Sequence, residues 1–328
     1  MTIVYGVVFV VAFLISLLSI RELREHFLKI GISGTDINKK NKPKVPEVGG
    51  LLLLPAIWIC TLGLISTGSI HLMALTILFT VTCYCAAGFF DDGFRVFKKE
   101  KNWLGYLIKR GIVITVITLP YAYLTSLATT GNLFITGSIA FLGVVVFSSL
   151  TNSFAGLNGW EVGSSFMLLL GVGGMLMFSE TYTTTLLALV FIFLGAVLAL
   201  FWFNRYPARI FPGDSGTLLI GSFIGCTAVH TQGFVLLLFL PHLLDIALKL
   251  ATNPGDISQK KEHPYEVKKT KLHIPKSQRL DFAKLMIRLF GPADEKAVVR
   301  RIHYVVATNT LIFTTLYFIL KTSTPPLL

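Results

Sequence analysis

The chain has 328 residues, of which 53% are hydrophobic and 14% charged, and its mean hydropathy is +0.71. Soluble domains carry roughly 25% charged residues, so a water-soluble globular protein is excluded and an integral membrane protein is expected. The net charge of +12 calls for no nucleic acid, because basic residues that fix cytoplasmic loops and meet anionic lipid headgroups account for it.

A hydrocarbon core of about 30 Å takes roughly 20 apolar residues per helix, and the expected fold is all-α with about ten transmembrane helices and cytoplasmic active-site loops. In chain order the spans fall near 2–20, 49–68, 70–90, 104–124, 133–151, 161–178, 183–202, 215–229, 232–250 and 303–320. No basic segment precedes the first and no small-residue cleavage site follows it, so it reads as a span rather than a signal peptide. Every Lys and Arg except Lys321 lies in the loops after odd-numbered spans or at the adjoining helix ends, whereas the short loops at Gly68, Gly131, Glu180 and Thr231 hold none. That asymmetry puts the basic loops in the cytoplasm and both termini outside. One polytopic membrane domain, 1–328, is expected, with a long cytoplasmic loop at 251–302 inside it. Cys60, Cys83, Cys85 and Cys226 fall within spans and read as small hydrophobes, so neither a disulfide nor a thiolate metal site is expected.

Polar segments interrupt the spans at one face. The third span ends on Asp91 and Asp92, adjacent carboxylates that need water, a metal or cations. On a helix they point about 100° apart, so one can face a reacting group while the other holds a neighbouring Lys; a solvated helix end is the alternative. The run Arg95 to Lys101 follows, either point charges suited to phosphate oxygens or a topology signal. Between the fifth and sixth spans, Asn152-Ser-Phe-Ala-Gly-Leu-Asn-Gly-Trp-Glu161 carries Gly156 and Gly159, which let backbone approach a ligand. Asn152 offers a neutral oxygen for a hard cation, and Asn158 and Glu161 can hydrogen-bond sugar or base edges. A short loop turning at Asn158-Gly159 is the competing account. Asp214 lies in Phe211-Pro-Gly-Asp-Ser-Gly216 at the head of the eighth span. Helix N–H groups there favour phosphate, and its carboxylate can anchor Mg2+ to phosphate oxygens or serve as a plain N-cap. Arg205 and Arg209 can steady a diphosphate or mark topology.

In order and wording these motifs resemble the polyprenyl-phosphate N-acetylhexosamine-1-phosphate transferases, which include the bacterial phospho-N-acetylmuramoyl-pentapeptide transferases. Ala155 to Glu161 and Asn204-Arg-Tyr-Pro-Ala-Arg-Ile-Phe-Pro-Gly-Asp214 look most like the dolichyl-phosphate N-acetylglucosamine-1-phosphate transferase branch, as do Asp36-Ile-Asn-Lys39 and Val45-Pro-Glu-Val-Gly-Gly50. The resemblance implies transfer of N-acetylglucosamine-1-phosphate from UDP-N-acetylglucosamine to a polyprenyl or dolichyl phosphate. The products are the lipid-diphosphate sugar and UMP, at the first membrane step of glycan assembly. By the same resemblance Asn152 and Asp214 are ligands of Mg2+, for which Mn2+ can substitute, and Lys101 is a diphosphate contact. Asp91 and Asp92 become the catalytic carboxylate pair, and Glu47, Gly156 and Asn158 belong to the nucleotide-sugar pocket.

The last loop departs from the family pattern. It reads Lys271-Leu-His-Ile-Pro-Lys276 where the family carries a His/Arg cluster, so Lys271 and His273 supply positive charge without a bidentate Arg grip. Arg279 to Phe290 is expected as an interfacial helix, with Asp281, Lys284 and Arg288 on one face and Phe282, Met286 and Leu289 on another; a soluble hairpin in that region is the alternative. The implied partners are the UDP-sugar, the lipid phosphate and the bilayer, with a second copy of the chain as a candidate. Compact loops point to an archaeal or other prokaryotic cell membrane. A transporter of an anionic or lipid-linked solute is the rival reading, since Gly- and Pro-broken segments also build transport sites; those sites lie near the bilayer midplane, whereas these polar groups lie at span ends. A lipid phosphatase would place a His beside the core motifs, and they contain none.

Overall fold

The computed structural model of the chain describes residues 2–39, 41–94, 103–129, 132–178, 183–252, 265–275 and 279–323. Its helices in chain order are α1 (Thr2–Lys29), α2 (Leu54–Ser66), α3 (Ala74–Phe94), α4 (Trp103–Ala128), α5 (Leu133–Ser153), α6 (Trp160–Leu176) and α7 (Thr183–Asn204). Then follow α8 (Gly213–Cys226), α9 (Val235–Leu238), α10 (Leu240–Thr252), α11 (Phe282–Phe290) and α12 (Glu295–Ser323). Helices are what unbroken apolar sequence must form in lipid, where each backbone N–H and C=O needs a partner within its own segment.

Among the described residues six helices, α1, α3, α4, α5, α7 and α12, are long and apolar enough to cross a membrane, and α2 and α6 are apolar but shorter. The protein is therefore a multi-pass membrane protein. Helix length alone does not reach the expected count of ten. With 14 residues, α8 rises only about 21 Å at 1.5 Å per residue. The span expected at 232–250 is divided into α9 and α10, because Pro241 in the first turn of α10 has no N–H with which to continue the preceding turn. Two helices outrun their apolar stretches: α1 continues to Lys29 and α12 begins at Glu295, since Arg, Glu and Lys are good helix formers in water.

Burial sorts the helices. In α7, 78% of the membrane window is buried, against 22% in α1 and in α12, so α7 is central and the other two face lipid. Buried along most of its length from Ser215 to Cys226, α8 packs between α3 and α5 and stacks Phe223 on Phe193 of α7 at 3.8 Å.

Two hairpins lie outside the spans. β1 (Ser33–Thr35) pairs antiparallel with β2 (Lys44–Pro46), and β3 (Glu266–Lys268) with β4 (Lys271–His273). β4 is pinned to the start of α12 by Leu272 N donating to the Ala293 carbonyl at 2.8 Å. Helix α11 differs from its expected two faces. Phe282 and Met286 are buried as expected, but Lys284 is only 4% exposed and Leu289 is 62% exposed. Lys284 can be buried because its ammonium is satisfied: it meets Asp281 at 3.2 Å and donates to the Arg279 carbonyl at 2.7 Å. The buried Tyr265 hydroxyl donates to Asp281 at 3.4 Å, and burial holds this phenol well above its ordinary pKa.

Candidate active site

The start of α8 is the point on which the polar motifs converge. Phe211 N donates to the Pro46 carbonyl at 2.8 Å, Gly49 N to that of Phe211 at 3.0 Å and Gly50 N to that of Pro212 at 3.1 Å. A Cβ on Gly50 would strike the backbone of Ser215 and Gly216, and one on Gly88 the backbone of Asp214 and Ser215. These two glycines thus let segment 46–50 and helix α3 touch the backbone of α8. The close approach carries Asp91 and Asp92 of α3 to Asp214.

The two adjacent carboxylates take different positions. Asp92 Oδ2 accepts from Ser215 N at 3.2 Å, satisfying one of the N–H groups that a helix start leaves without a partner. Pro212, at the N-cap position of α8, makes no side-chain cap, so a carboxylate from another helix fills that role. Asp91 is 2% exposed and, with Arg110 and Asp214, lines a gap of about 10 Å3. A gap of that size holds one water-sized particle. The Arg110 guanidinium stands 3.8 Å from Asp214 Oδ2.

From the end of α5, Asn152 Nδ2 donates to Asp214 Oδ1 at 2.9 Å and to Thr217 Oγ1 at 2.8 Å. Its carbonyl oxygen has no hydrogen-bond partner among the described residues. In the first turn of α6, Glu161 has its Oε2 buried without a hydrogen-bond partner, and the Gly156 N–H and the charges of Glu47 and Asp214 act on its carboxylate. Glu47 itself bridges Phe211 in parallel.

The loop between α5 and α6 is set by its apolar residues. Phe154, Leu157 and Trp160 are buried, with Phe154 stacked on His242 at 3.9 Å and edge-on to Trp160 at 5.0 Å. Asn158, expected at a sugar or base edge, holds the loop in place. Its amide donates to Asp36 Oδ2 at 2.9 Å and its backbone N–H to Glu295 Oε1 at 2.8 Å, while Lys39 pairs with Asp36 at 3.4 Å and also with Glu295. Two buried carboxylates demand donors, and this demand engages Asn158. Gly159, at φ +86, forms the turn into α6, its N–H donating to Asn204 Oδ1 at 3.1 Å.

Other expected residues stand elsewhere. Arg209 lies over the Phe203 ring at 4.7 Å and lines a cleft shared with Asn158 and Gly159. Lys271 and His273 lie on β4, and no hydrogen bond or ion pair joins them to the acidic centre among the described residues. Lys101 lies outside the described residues. Sequence reasoning missed Arg110 and Thr217. An Arg in an apolar helix is costly unless paired, a signal that could have found Arg110; Thr217 gave none.

Among the described residues no three His, Cys, Asp or Glu side chains are close enough to hold a metal by themselves. Mg2+ is commonly held by one or two carboxylates, with phosphate oxygens and water completing its shell. Asp91 and Asp214 around a water-sized gap fit that donor set, with the Asn152 amide held against Asp214.

A helical membrane protein that gathers carboxylates, an amide and a guanidinium from α3, α4, α5 and α8 at one point defines a membrane-embedded enzyme class. Residues 74–232 match glycosyl transferase family 4, and the chain belongs to that family. It is 32% identical over 239 residues to a Methanocaldococcus jannaschii protein provisionally named a glycosyltransferase, covering 72% of this chain and 71% of that one. A Saccharolobus solfataricus protein is 29% identical, over 69% of this chain and 71% of its own. It is provisionally named a UDP-N-acetylglucosamine–dolichyl-phosphate N-acetylglucosaminephosphotransferase. The phospho-N-acetylmuramoyl-pentapeptide-transferase of Chlamydia pneumoniae is 26% identical, over 67% and 69%.

Proposed function

We propose that this protein transfers N-acetylglucosamine-1-phosphate from UDP-N-acetylglucosamine to a polyprenyl or dolichyl phosphate, releasing UMP. The observation that carries the reading is the meeting of Asp91, Asp92, Asn152 and Asp214 with Arg110 at the N-terminus of α8. The archaeal relative's name supplies donor and acceptor, and the bacterial relative's name carries a different phospho-sugar group.

In this reaction an oxygen of the lipid phosphate attacks the phosphorus that bears the sugar. The bond from that phosphorus to the bridging oxygen breaks, and the oxygen leaves with UMP. The difficulty is bringing anions together. Arg110 and the N–H groups of the first turn of α8 give the site positive potential where charge develops. Mg2+ or Mn2+ held through Asp214 and Asn152 would neutralise diphosphate charge. A phosphomonoester with second pKa near 6 is already ionised at neutral pH, so Asp91 organises the site rather than removing a proton, and Asp92 fixes the start of α8. Glu47, Gly156 and Glu161 border the sugar-nucleotide side, Lys101 contacts the diphosphate, and Arg209, Lys271 and His273 supply outer positive charge.

The one-sided basic residues support placing this face in the cytoplasm of a prokaryotic cell membrane. Ten crossings remain our reading, with α8 and the broken α9–α10 pair added to the eight apolar helices. The test is UMP release by the purified protein supplied with Mg2+, lipid phosphate and a panel of UDP-sugars. Release should require both UDP-N-acetylglucosamine and lipid phosphate. Release with another UDP-sugar alone overturns the donor, and no release with any overturns the transfer.

A further inference from the structure

Outside the acidic centre, a cleft of about 650 Å3 opens between the end of α7, segment 205–209 and the first turns of α12. Its walls carry Arg205, Arg209, Lys296 and Arg300 and, among the described residues, no carboxylate. None of these cations forms an ion pair among the described residues. Arg205 instead stacks on Trp202 at 3.8 Å, and Lys296 lies over Tyr206 at 5.2 Å. Cations gathered without counter-charge repel one another, and a bound anion relieves that repulsion.

The cleft's height in the molecule narrows the choice of anion. The membrane stretch of α7 ends at Asn204, and α12 begins at Glu295 with a charged first part ahead of its apolar stretch, so the cleft lies where two spans leave the hydrocarbon. Trp202 is 49% exposed and Tyr206 36%, and exposed Trp and Tyr at span ends belong to the headgroup layer. The inner wall is the back of the active-site loop: His303 Nε2 lies 3.1 Å from the Gly159 carbonyl oxygen, and the His303 ring packs edge-on to Phe201 at 5.9 Å. Neither Asp91, Asp92 nor Asp214 lines the cleft, so a diphosphate seated here would not touch the acidic centre.

We propose that this cleft binds the phosphodiester headgroup of an anionic membrane phospholipid, against the back of the Asn158-Gly159 turn. Of the four cations only Arg209 also has a place in the proposed transfer, and lipid retention is read without turnover, so failure of one reading leaves the other standing.

The test uses the full chain in neutral detergent with phosphatidylglycerol or phosphatidylcholine, followed by native mass spectrometry. Phosphatidylglycerol should be retained in preference to phosphatidylcholine. Lys296→Gln/Arg300→Gln should weaken its retention on the order of tenfold or more, as loss of two headgroup-level cations implies, whereas Arg21→Gln, a cation at the end of a different span, should not. A second readout does not depend on the double variant folding. Brominated phosphatidylglycerol should quench tryptophan fluorescence more than brominated phosphatidylcholine, and Trp202→Phe should lose that difference. Equal retention by wild type and the double variant overturns the proposal, as does an equal loss in Arg21→Gln, which would mean diffuse surface charge. Displacement of phosphatidylglycerol by UMP, with a raised KM for the UDP-sugar in the double variant, also overturns it, because the occupant would then be the soluble diphosphate.

Discussion

Asp91 and Asp92 are neighbours in sequence with separate surroundings, and substitutions should separate them. Asp92→Ala removes an acceptor from the first turn of α8 and should lower stability by about 1 kcal/mol, whereas Asp92→Asn keeps an oxygen there and should melt close to wild type in detergent. Asp91→Asn should leave the melting temperature in place but abolish turnover, with no recovery as pH is raised, because the lost charge organises the site. Strong recovery at high pH, with unchanged Mg2+ affinity, would mean that Asp91 is a base. Asp214→Ala and Asn152→Ala should each cut turnover on the order of 10- to 100-fold and shift the Mg2+ titration to higher concentration. Wild-type rate and titration in both would remove them as ligands.

At the scale of elements, backbone contact between helices brings the residues together. Gly88→Ala places a methyl group against the backbone of Asp214 and Ser215, and overpacking of this kind costs about 1–3 kcal/mol. Gly63→Ala meets nothing within 4 Å and is the control. The first should lower both melting temperature and turnover, the second neither; equal behaviour would show that the α3–α8 contact is not tight. A second link joins α10 to α5 and α11. Lys249 lies 2.5 Å from Asp245 and donates to the Ser153 carbonyl at 2.6 Å, one residue from Asn152, while Asp245 accepts from Phe282 N at 2.8 Å. Lys249→Met strands a buried carboxylate and should cost about 3–5 kcal/mol, measured by thermal unfolding. Asp245→Asn/Lys249→Met should recover most of that, since the acceptor for Phe282 remains and no charge is left unpaired. No recovery in the double variant would refute the pairing.

For the whole molecule, the arrangement of basic residues supports an orientation that labelling can test. Cys60, Cys85 and Cys226 are buried and Cys83 is exposed, so a background lacking Cys83 suits single introduced thiols. A Cys at Lys268 should react from the cytoplasmic side and one at Ser69 from the opposite side. Reaction of both from one side would overturn the crossing pattern.

The membrane class, the polar segments at span ends and the candidacy of Asp91, Asp92, Asn152 and Asp214 were determined by the sequence, because each is a local signal: long apolar runs, and costly polar groups where those runs stop. The tertiary structure alone decided that Asp92 caps α8 while Asp91 faces Asp214, that Arg110 is a nearby cation, and that Asn158 serves a buried network with Asp36 and Glu295. Asn158 and Glu295 are 137 positions apart, and no local pattern encodes such a pair. Which donor a buried carboxylate finds depends on which helix faces packing has pressed together, and that is settled only when the whole bundle closes.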